Sequence, residues 1–237
     1  MHRYYDAEEI DRYIRKYHLN EIIPDLGGFG REYLSLTRFR KKEVPVWEHD
    51  TDKLVFLVEG SVKNCALTEN GKKLLLHFSD AFEILRDLEL LGIVNQSMEI
   101  EVARDAVFLE VDVRGIRNIL LNNPVFLRAI LMQIGKKLAK TTVAQTMTAI
   151  YPLESRLSSY ILHMAEKQAD GSLVFSDNLI ETSELLGTSY RHLLRTLKGF
   201  CESGVLVHQG QEYMVADKEA LQEKASDQPI YGRFQEK

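Results

Sequence analysis

The chain has 237 residues, 45% of them hydrophobic and 27% charged, and its formal net charge is −5. These values fit a globular protein of two modest domains, and the acidic balance excludes a protein that coats nucleic acid through bulk charge. The two cysteines, Cys65 and Cys201, are too few and too widely separated for a disulfide framework, a zinc finger or an iron–sulfur cluster.

No targeting segment is visible at the N-terminus. Residues 1–17 are charged throughout and lack the apolar core of a signal peptide. The apolar runs elsewhere are far shorter than the roughly 18 residues that a membrane span needs. We therefore expect a soluble cytoplasmic protein that does not contact a membrane.

The chain begins with an amphipathic helix and continues into a β-rich region. Asp6–Tyr17 carries apolar residues at three- and four-residue steps, and Pro24–Gly28 breaks that pattern. Between residues 33 and 113, β-prone runs alternate with turn signals, of which Asn70-Gly71 is the strongest. We predict about seven strands there: Leu34–Phe39, Val44–Trp47, Leu54–Val58, Val62–Leu67, Leu74–Phe78, Glu99–Val102 and Val107–Val111. Short strands at this spacing indicate a closed or sandwiched β domain.

A long helix without a breaker follows. Asn123 is a plausible cap, Pro124 fits the first helical turn, and the helix is predicted to reach about Ile150, roughly 39 Å away. Its second half is nearly uncharged, which is unusual for an exposed linker. Two copies packing in parallel would explain this composition, and a buried helix within one domain is the alternative.

Residues 178–200 have the pattern of a helix-turn-helix. Gly187 stops a first helix capped by Asn178, and Ser189 can cap a second. On the second helix, apolar Leu193, Leu194 and Leu197 are expected opposite a basic face formed by Arg191, His192, Arg195 and Lys198. Small residues at 182 and 183 would allow the two helices to approach closely.

The surrounding elements extend this pattern. Tyr151-Pro152 marks a hinge, and Leu153–Met164 is predicted as a further amphipathic helix. Val205–Val207 and Tyr213–Val215 flank a turn that contains Gly210, which predicts a wing-like hairpin. A short helix at 218–225 and a frayed tail at 226–237 complete the chain. The alternative is an ordinary pair of helices beside a small sheet.

This order of elements resembles the Crp/Fnr family of bacterial transcription regulators along nearly the whole chain. The segments that carry the resemblance are Val58–Lys63, Glu69–Lys72, Asn122–Pro124, Lys136–Leu138, Arg156-Leu157 and Leu185–Ser189. Residues 189–194 look like the YeiL branch. The resemblance implies an α+β protein with a cyclic-nucleotide-binding-like jelly-roll β-barrel (1–123), a dimerisation helix (124–150), a winged helix-turn-helix (151–225) and a tail (226–237).

The family also implies partners and binding residues. It implies a homodimer on a palindromic double-stranded DNA site, an unidentified small-molecule effector, and the possibility of a contact with RNA polymerase. Many relatives read bases at the positions of Tyr190, Arg191 and Arg195, but an Arg-Glu pair is replaced here, so no half-site sequence carries over. The predicted DNA-binding residues are Thr188, Ser189, Tyr190, Arg191, His192, Arg195 and Lys198, with Thr188, Ser189 and Lys198 placed for phosphates. The predicted residues of the dimer helix are Ile130, Ile134, Leu138, Thr141 and Gln145.

The effector region departs from cyclic-nucleotide-binding relatives. Where these carry Gly-Glu-Leu, this chain has Arg86-Asp87-Leu88, and Met98 stands where they carry an arginine that pairs with phosphate. Thr141 and Thr142 match the helix position that touches a nucleobase, although packing between two helices also explains them. We therefore expect an effector other than a cyclic nucleotide, and neither a metal nor a cofactor.

Two other functions remain open. A cupin-type enzyme would need clustered histidines and a carboxylate, and only His49 and His77 lie in the β region, so we expect no enzyme. An adaptor with the regulator's shape but without DNA binding is compatible with the acidic C-terminal part, where residues 151–216 hold five Lys/Arg against eight Asp/Glu. A redox role for Cys65 or Cys201 also remains open, although a structural thiol is the simpler explanation.

Overall fold

The computed structural model describes residues 2–23, 26, 32–47, 52–69, 71–93 and 98–225. Expectations about the Pro24–Gly28 break (Leu26 apart), Asn70, His49 and the tail at 226–237 lie outside these residues, as does the side chain of Gln145. The chain divides into two compact units. Unit 1 is Met1–Asn64 with Ser79–Ala139, and unit 2 is Cys65–Phe78 with Lys140–Lys237. The hairpin at 65–78 therefore groups with the C-terminal part, and the long helix is shared between the units.

The chain up to residue 150 forms a sheet followed by helices. Its elements are β1 (His2–Tyr4), α1 (Ala7–Lys16), α2 (Leu19–Ile22), β2 (Leu34–Phe39), β3 (Lys53–Leu67), β4 (Lys73–Asp80), β5 (Glu83–Leu85), α3 (Asp87–Leu90), β6 (Met98–Asp112), α4 (Arg117–Leu121) and α5 (Pro124–Ile150). Helix α5 begins as predicted, because the Asn123 side chain accepts hydrogen bonds from the amides of Val125 and Phe126. Its 27 residues confirm the predicted uninterrupted helix.

The predicted closed barrel is wrong for the part of the chain that the structure describes. The sheet runs β1-β2-β6-β3-β4, with β5 paired to β3, so β1 and β4 are left as unjoined edges. Val44–Trp47 is not a strand, while β3 and β6 each run through two predicted strands. Gly60 keeps β3 continuous at φ +82, and a Cβ there would lie 2.2 Å from the Asp105 carbonyl oxygen. Only glycine permits that approach, so it bends the strand instead of ending it.

Helices pack on one side of this sheet. Asp6 caps α1 by accepting from the amide of Glu9, and the apolar face of α1 is buried as predicted. That face joins a core that includes Phe56, Leu109 and Phe126. A second apolar cluster contains Phe39 and Phe108, with Trp47 packed against it. The interior of unit 1 is thus built from apolar contacts on both faces of the sheet.

Unit 2 contains smaller elements. They are α6 (Leu153–Met164), β7 (Glu166–Lys167), β8 (Leu173–Phe175), α7 (Leu179–Leu185), α8 (Tyr190–Glu202), β9 (Leu206–Gln209), β10 (Glu212–Val215) and α9 (Lys218–Lys224). Their antiparallel sheet has the order β7-β8-β10-β9. Over the described ranges, no helix combines the length and apolarity needed to cross a membrane.

Candidate nucleic-acid interface

Helices α7 and α8 are joined by the tight turn that the sequence predicts. The Asn178 side chain accepts from the amides at 180 and 181, so α7 begins where expected. Gly187 takes φ +59, a conformation that favours glycine, and the chain then turns into α8. The Ser189 hydroxyl accepts from the His192 amide at 3.2 Å and caps α8. The first turn of each helix is therefore fixed by a side-chain cap.

The inner faces of these helices form the core of unit 2. Leu193, Leu197 and Phe200 of α8 are buried, and so are Thr182 and Ser183 of α7, where close approach of the helices was expected. Arg156, buried on α6, donates a hydrogen bond to the Leu186 carbonyl at the end of α7. This contact ties α6 to the turn, a role that sequence reasoning did not assign to Arg156.

The outer face of α8 carries a basic strip, which we define as Arg191, Arg195 and Lys198. All three side chains are exposed and follow one another at about one-turn spacing. Neither guanidinium has a protein acceptor in the part of the chain that the structure describes. Lys198 lies 3.5 Å from the exposed Glu202 carboxylate, a pair that contributes little to stability. The two arginines are therefore available to an external acceptor.

The other predicted DNA-binding residues lie at the beginning of α8. Tyr190 and His192 are exposed, and Thr188 is half-buried next to the exposed cap Ser189. The Thr188 hydroxyl is 3.4 Å from the Nδ1 atom of His192. The structure thus places all seven predicted residues in the turn before α8 or on α8 itself, each at least partly exposed.

Leu194 departs from its prediction. It was expected on the inner face with Leu193 and Leu197, but 36% of it is exposed, whereas those two leucines are fully buried. Its position one helical step from Arg195 turns it towards the outer face, because successive residues are separated by about 100°. The presence of three leucines in the segment did not show that Leu194 is exposed while Leu193 and Leu197 are buried.

The hairpin behind α8 forms in the predicted place. Glu212 pairs with Gln209 across the turn, and Gly210 takes φ +64. His208 stacks on Tyr213 with ring centroids 4.6 Å apart.

Burial raises the pKa of the Cys201 thiol on α8, which disfavours the reactive thiolate.

The predicted effector residues of unit 1 are engaged with their own chain. Both Asp87 carboxylate oxygens lie 2.9 Å from the Lys137 ammonium on α5, and one of them accepts from the Leu88 amide. Arg86 is buried at φ 60, with its Nε atom 3.9 Å from Glu89. Its Nη1 atom has no hydrogen-bond acceptor among the described residues. An anion that approached Arg86 would also meet the carboxylates of Asp87 and Glu89.

The remaining effector candidates do not extend this cluster. Met98 is partly exposed at the start of β6, and Leu88 is half-buried. Thr141 and Thr142 belong to unit 2, where the Thr141 hydroxyl lies 3.2 Å from the Nδ1 atom of buried His77 and Thr142 is exposed. Thr141 is therefore occupied within its own unit.

The apolar residues of α5 lie on two sides of the helix, one buried and one exposed. Ile130 is buried in the core of unit 1 and Ile134 packs against the same core. Leu131 and Leu138 are 71% and 66% exposed. Of the predicted dimer residues, Leu138 is thus exposed, while Ile130 is part of the core of unit 1. Leu131, which was not among the predicted dimer residues, is also exposed.

Comparison with known proteins identifies regulators in sequence and in structure. No protein-family model matches the chain. It is 26% identical over 181 residues to the regulatory protein YeiL of Escherichia coli O157:H7, covering 76% of this chain and 80% of that protein. Crystal structures of two transcriptional regulators from Thermus thermophilus have similar folds. One, of the CRP family, has a TM-score of 0.65 at 16% identity, and one, of the CRP/FNR family, has 0.66 at 17%; each match covers 81% of this chain and 98% of the other.

Proposed function

We propose that this chain, a Crp/Fnr-like transcription regulator by its similarity to YeiL and to the Thermus regulators, binds a specific double-stranded DNA sequence as a homodimer. The observation that carries the proposal is the basic strip on α8, whose two guanidinium groups have no acceptor in the described residues. Helices α7 and α8 with the β9–β10 hairpin would act as a winged helix-turn-helix. A DNA target places this activity in the cytoplasm.

The geometry supports separate roles within the strip. An arginine on a helix in the major groove can donate two hydrogen bonds to guanine, which discriminates this base by about 1–3 kcal/mol. Arg191 and Arg195 are the residues proposed to read bases. Lys198 and the hydroxyls of Thr188 and Ser189 are proposed to contact phosphates, which position the protein without specifying sequence.

The test is selection from a random duplex library with the full chain, followed by affinity measurements on the enriched duplex and on a scrambled one. The selection is run with and without a small-molecule extract of cells, because the effector is unidentified. Arg191→Ala or Arg195→Ala should cost about 1–3 kcal/mol per half-site, thus about 2–6 kcal/mol for a symmetric dimer. Lys198→Ala serves as the matched control, since it should weaken both duplexes equally and lower the salt slope by about one unit per contact.

The outcomes separate regulator from adaptor. If neither arginine substitution alters the ratio of specific to random affinity, α8 does not read sequence. If no duplex is enriched under either condition, the adaptor function replaces the regulator. The acidic balance of residues 151–216 makes this a real alternative, because DNA attraction must then come from the local strip alone.

Dimerisation is proposed to use the outward side of α5, through Leu131 and Leu138. Two such faces packed together would remove both side chains from water, and apolar burial favours association. The double variant Leu131→Glu/Leu138→Glu should be monomeric in light scattering at concentrations where the wild type is dimeric. Lys136→Glu, an exposed charge change on the same helix, is the control and should remain dimeric. Dimers that survive the double substitution would rule out this interface.

The effector is proposed to be a small molecule other than a cyclic nucleotide. The support is that the Lys137 ammonium is already paired with Asp87 and that Met98 stands where relatives carry a phosphate-pairing arginine, so a cyclic phosphate would have to displace Asp87 or approach Arg86 beside the carboxylates of Asp87 and Glu89. Placing an anion there would break an ion pair and bring like charges together.

A further inference from the structure

The outer face of α8 carries an apolar strip beside its basic strip. The apolar strip consists of Tyr190 and Leu194, which are one helical turn apart and are 45% and 36% exposed. The other large apolar residues of α8, Leu193, Leu197 and Phe200, are at most 2% exposed. The apolar strip is therefore separate from the buried side of α8, and it is exposed to solvent next to the two arginines.

A lone exposed leucine is common on protein surfaces and by itself indicates nothing. Leu194 differs in its neighbours. It is adjacent in sequence to Arg195, and its helical neighbours at three and four residues' distance include Arg191 and Lys198. An apolar group exposed beside a cationic face is unfavourable in water, and it gains free energy when that face closes on an apolar target.

We infer that Leu194 is a specificity-determining residue that contacts the 5-methyl group of a thymine, next to a guanine read by Arg191 or Arg195. This inference rests on the proposed function and deepens it. The thymine methyl is the one apolar group on the major-groove edge of a base pair, and apolar side chains recognise it. Leu194 and Arg195 are separated by about 1.5 Å along the helix axis, so the two contacts fall on the same or adjacent base pairs.

The experiment replaces thymine by uracil, which removes only the methyl group. Each thymine of the duplex enriched from the random library is replaced in turn by deoxyuridine, symmetrically in both half-sites, and affinity is measured by fluorescence anisotropy at fixed salt. One position adjacent to an arginine-sensitive guanine should lose about fourfold in affinity per half-site, thus about fifteenfold for the dimer, as expected for one buried methyl group.

Leu194→Ala should bind the thymine and uracil duplexes with equal affinity, because its side chain no longer reaches the methyl group. Lys198→Ala is the matched control: it should weaken both duplexes and keep the discrimination between them. This control shows that loss of discrimination is not a consequence of weaker binding in general.

Each result decides the matter. A wild type that is indifferent to uracil at every thymine overturns the inference while leaving sequence-specific binding intact. Discrimination that persists in Leu194→Ala overturns it as well. If no duplex is enriched at all, the proposed function itself fails. If Leu194→Ala does not fold, the more conservative Leu194→Val takes its place, and a wild type indifferent to uracil still overturns the inference without any variant.

Discussion

Charged side chains behave in opposite ways in unit 1 and on α8. In unit 1, the Lys63 ammonium is buried and lies 3.0 Å from Glu101, which is also buried, and Asp87 is held by Lys137. On α8, Arg191 and Arg195 are exposed and, within the described residues, have no protein acceptor. The first set holds its own fold together, while the second is left available to a partner.

The contrast has a consequence for the binding of a cyclic phosphate in unit 1 and of DNA at α8. A buried ion pair resists an incoming anion, because separating its partners leaves an uncompensated charge in a poorly solvated place. An exposed guanidinium gives up only water when it contacts DNA. The same chemistry therefore argues against a cyclic phosphate at Asp87 and for an acceptor at the basic strip. Substitutions can test both the buried ion pairs of unit 1 and the exposed arginines of α8.

The largest effect on stability is expected at Lys63. Lys63→Met removes the ammonium that lies 3.0 Å from the buried Glu101 carboxylate, which should lower the free energy of unfolding by about 3–5 kcal/mol, measured by urea denaturation. The double variant Lys63→Met/Glu101→Leu should recover most of this loss, because an apolar pair replaces the buried charges. The exposed pair of Arg104 and Asp80, 2.8 Å apart, gives the control, and Arg104→Ala should cost less than about 1 kcal/mol. Equal losses at both sites would contradict the comparison.

A smaller loss is expected at the Asp87–Lys137 pair. Lys137→Ala removes two contacts of 2.9 Å to a buried carboxylate and should lower the free energy of unfolding by about 1.5–3 kcal/mol. Lys136→Ala, exposed one residue earlier, should change it little.

The Asp87–Lys137 pair also leads to a prediction for thermal unfolding in the presence of cyclic AMP. A micromolar ligand at 1 mM would stabilise the wild type by about 4 kcal/mol, so thermal unfolding has ample sensitivity. We expect no shift. A rise of several degrees with 1 mM cyclic AMP, confirmed by calorimetry, would contradict this expectation.

Local signals predicted much of the fold. The predicted caps Asn123, Asn178 and Ser189 form because each carries a short side-chain acceptor before an apolar-periodic run, and this depends only on neighbouring residues. The continuous β3 was missed because Gly60 reads as a turn, whereas the approach of Asp105 requires a glycine in mid-strand. That contact spans 45 residues of sequence, and no local pattern contains it.

The exposure of the charged residues of the candidate site was predicted from their residue type, but the exposure of its leucines was not predicted. The basic residues of α8 were identified because their charge restricts them to the surface. Leu194 and Leu131 were not, because leucine fits a core or an exposed face equally well. Lys137 was part of a family motif, but its partner Asp87 is 50 residues away and became apparent only from the distance. The exposure of a leucine and the partner of a lysine both depend on tertiary contacts, which a local sequence pattern does not contain.

The smallest expected effect on stability is at the basic strip itself. Arg191→Ala/Arg195→Ala removes two exposed guanidinium groups that have no acceptor in the described part of the chain, so the free energy of unfolding should stay within about 0.5 kcal/mol of wild type. The same variant should lose sequence-specific DNA binding. Arg156→Ala is the opposite control: its guanidinium is buried and donates to Leu186, so it should destabilise unit 2 while leaving the strip unchanged in composition. A double variant that unfolds at markedly lower urea would mean that the arginines serve the fold, and its loss of DNA binding would then say nothing about base reading. A stable variant without specificity assigns the two arginines to the partner alone, since a side chain whose removal leaves folding unchanged can affect binding only through the contact it makes.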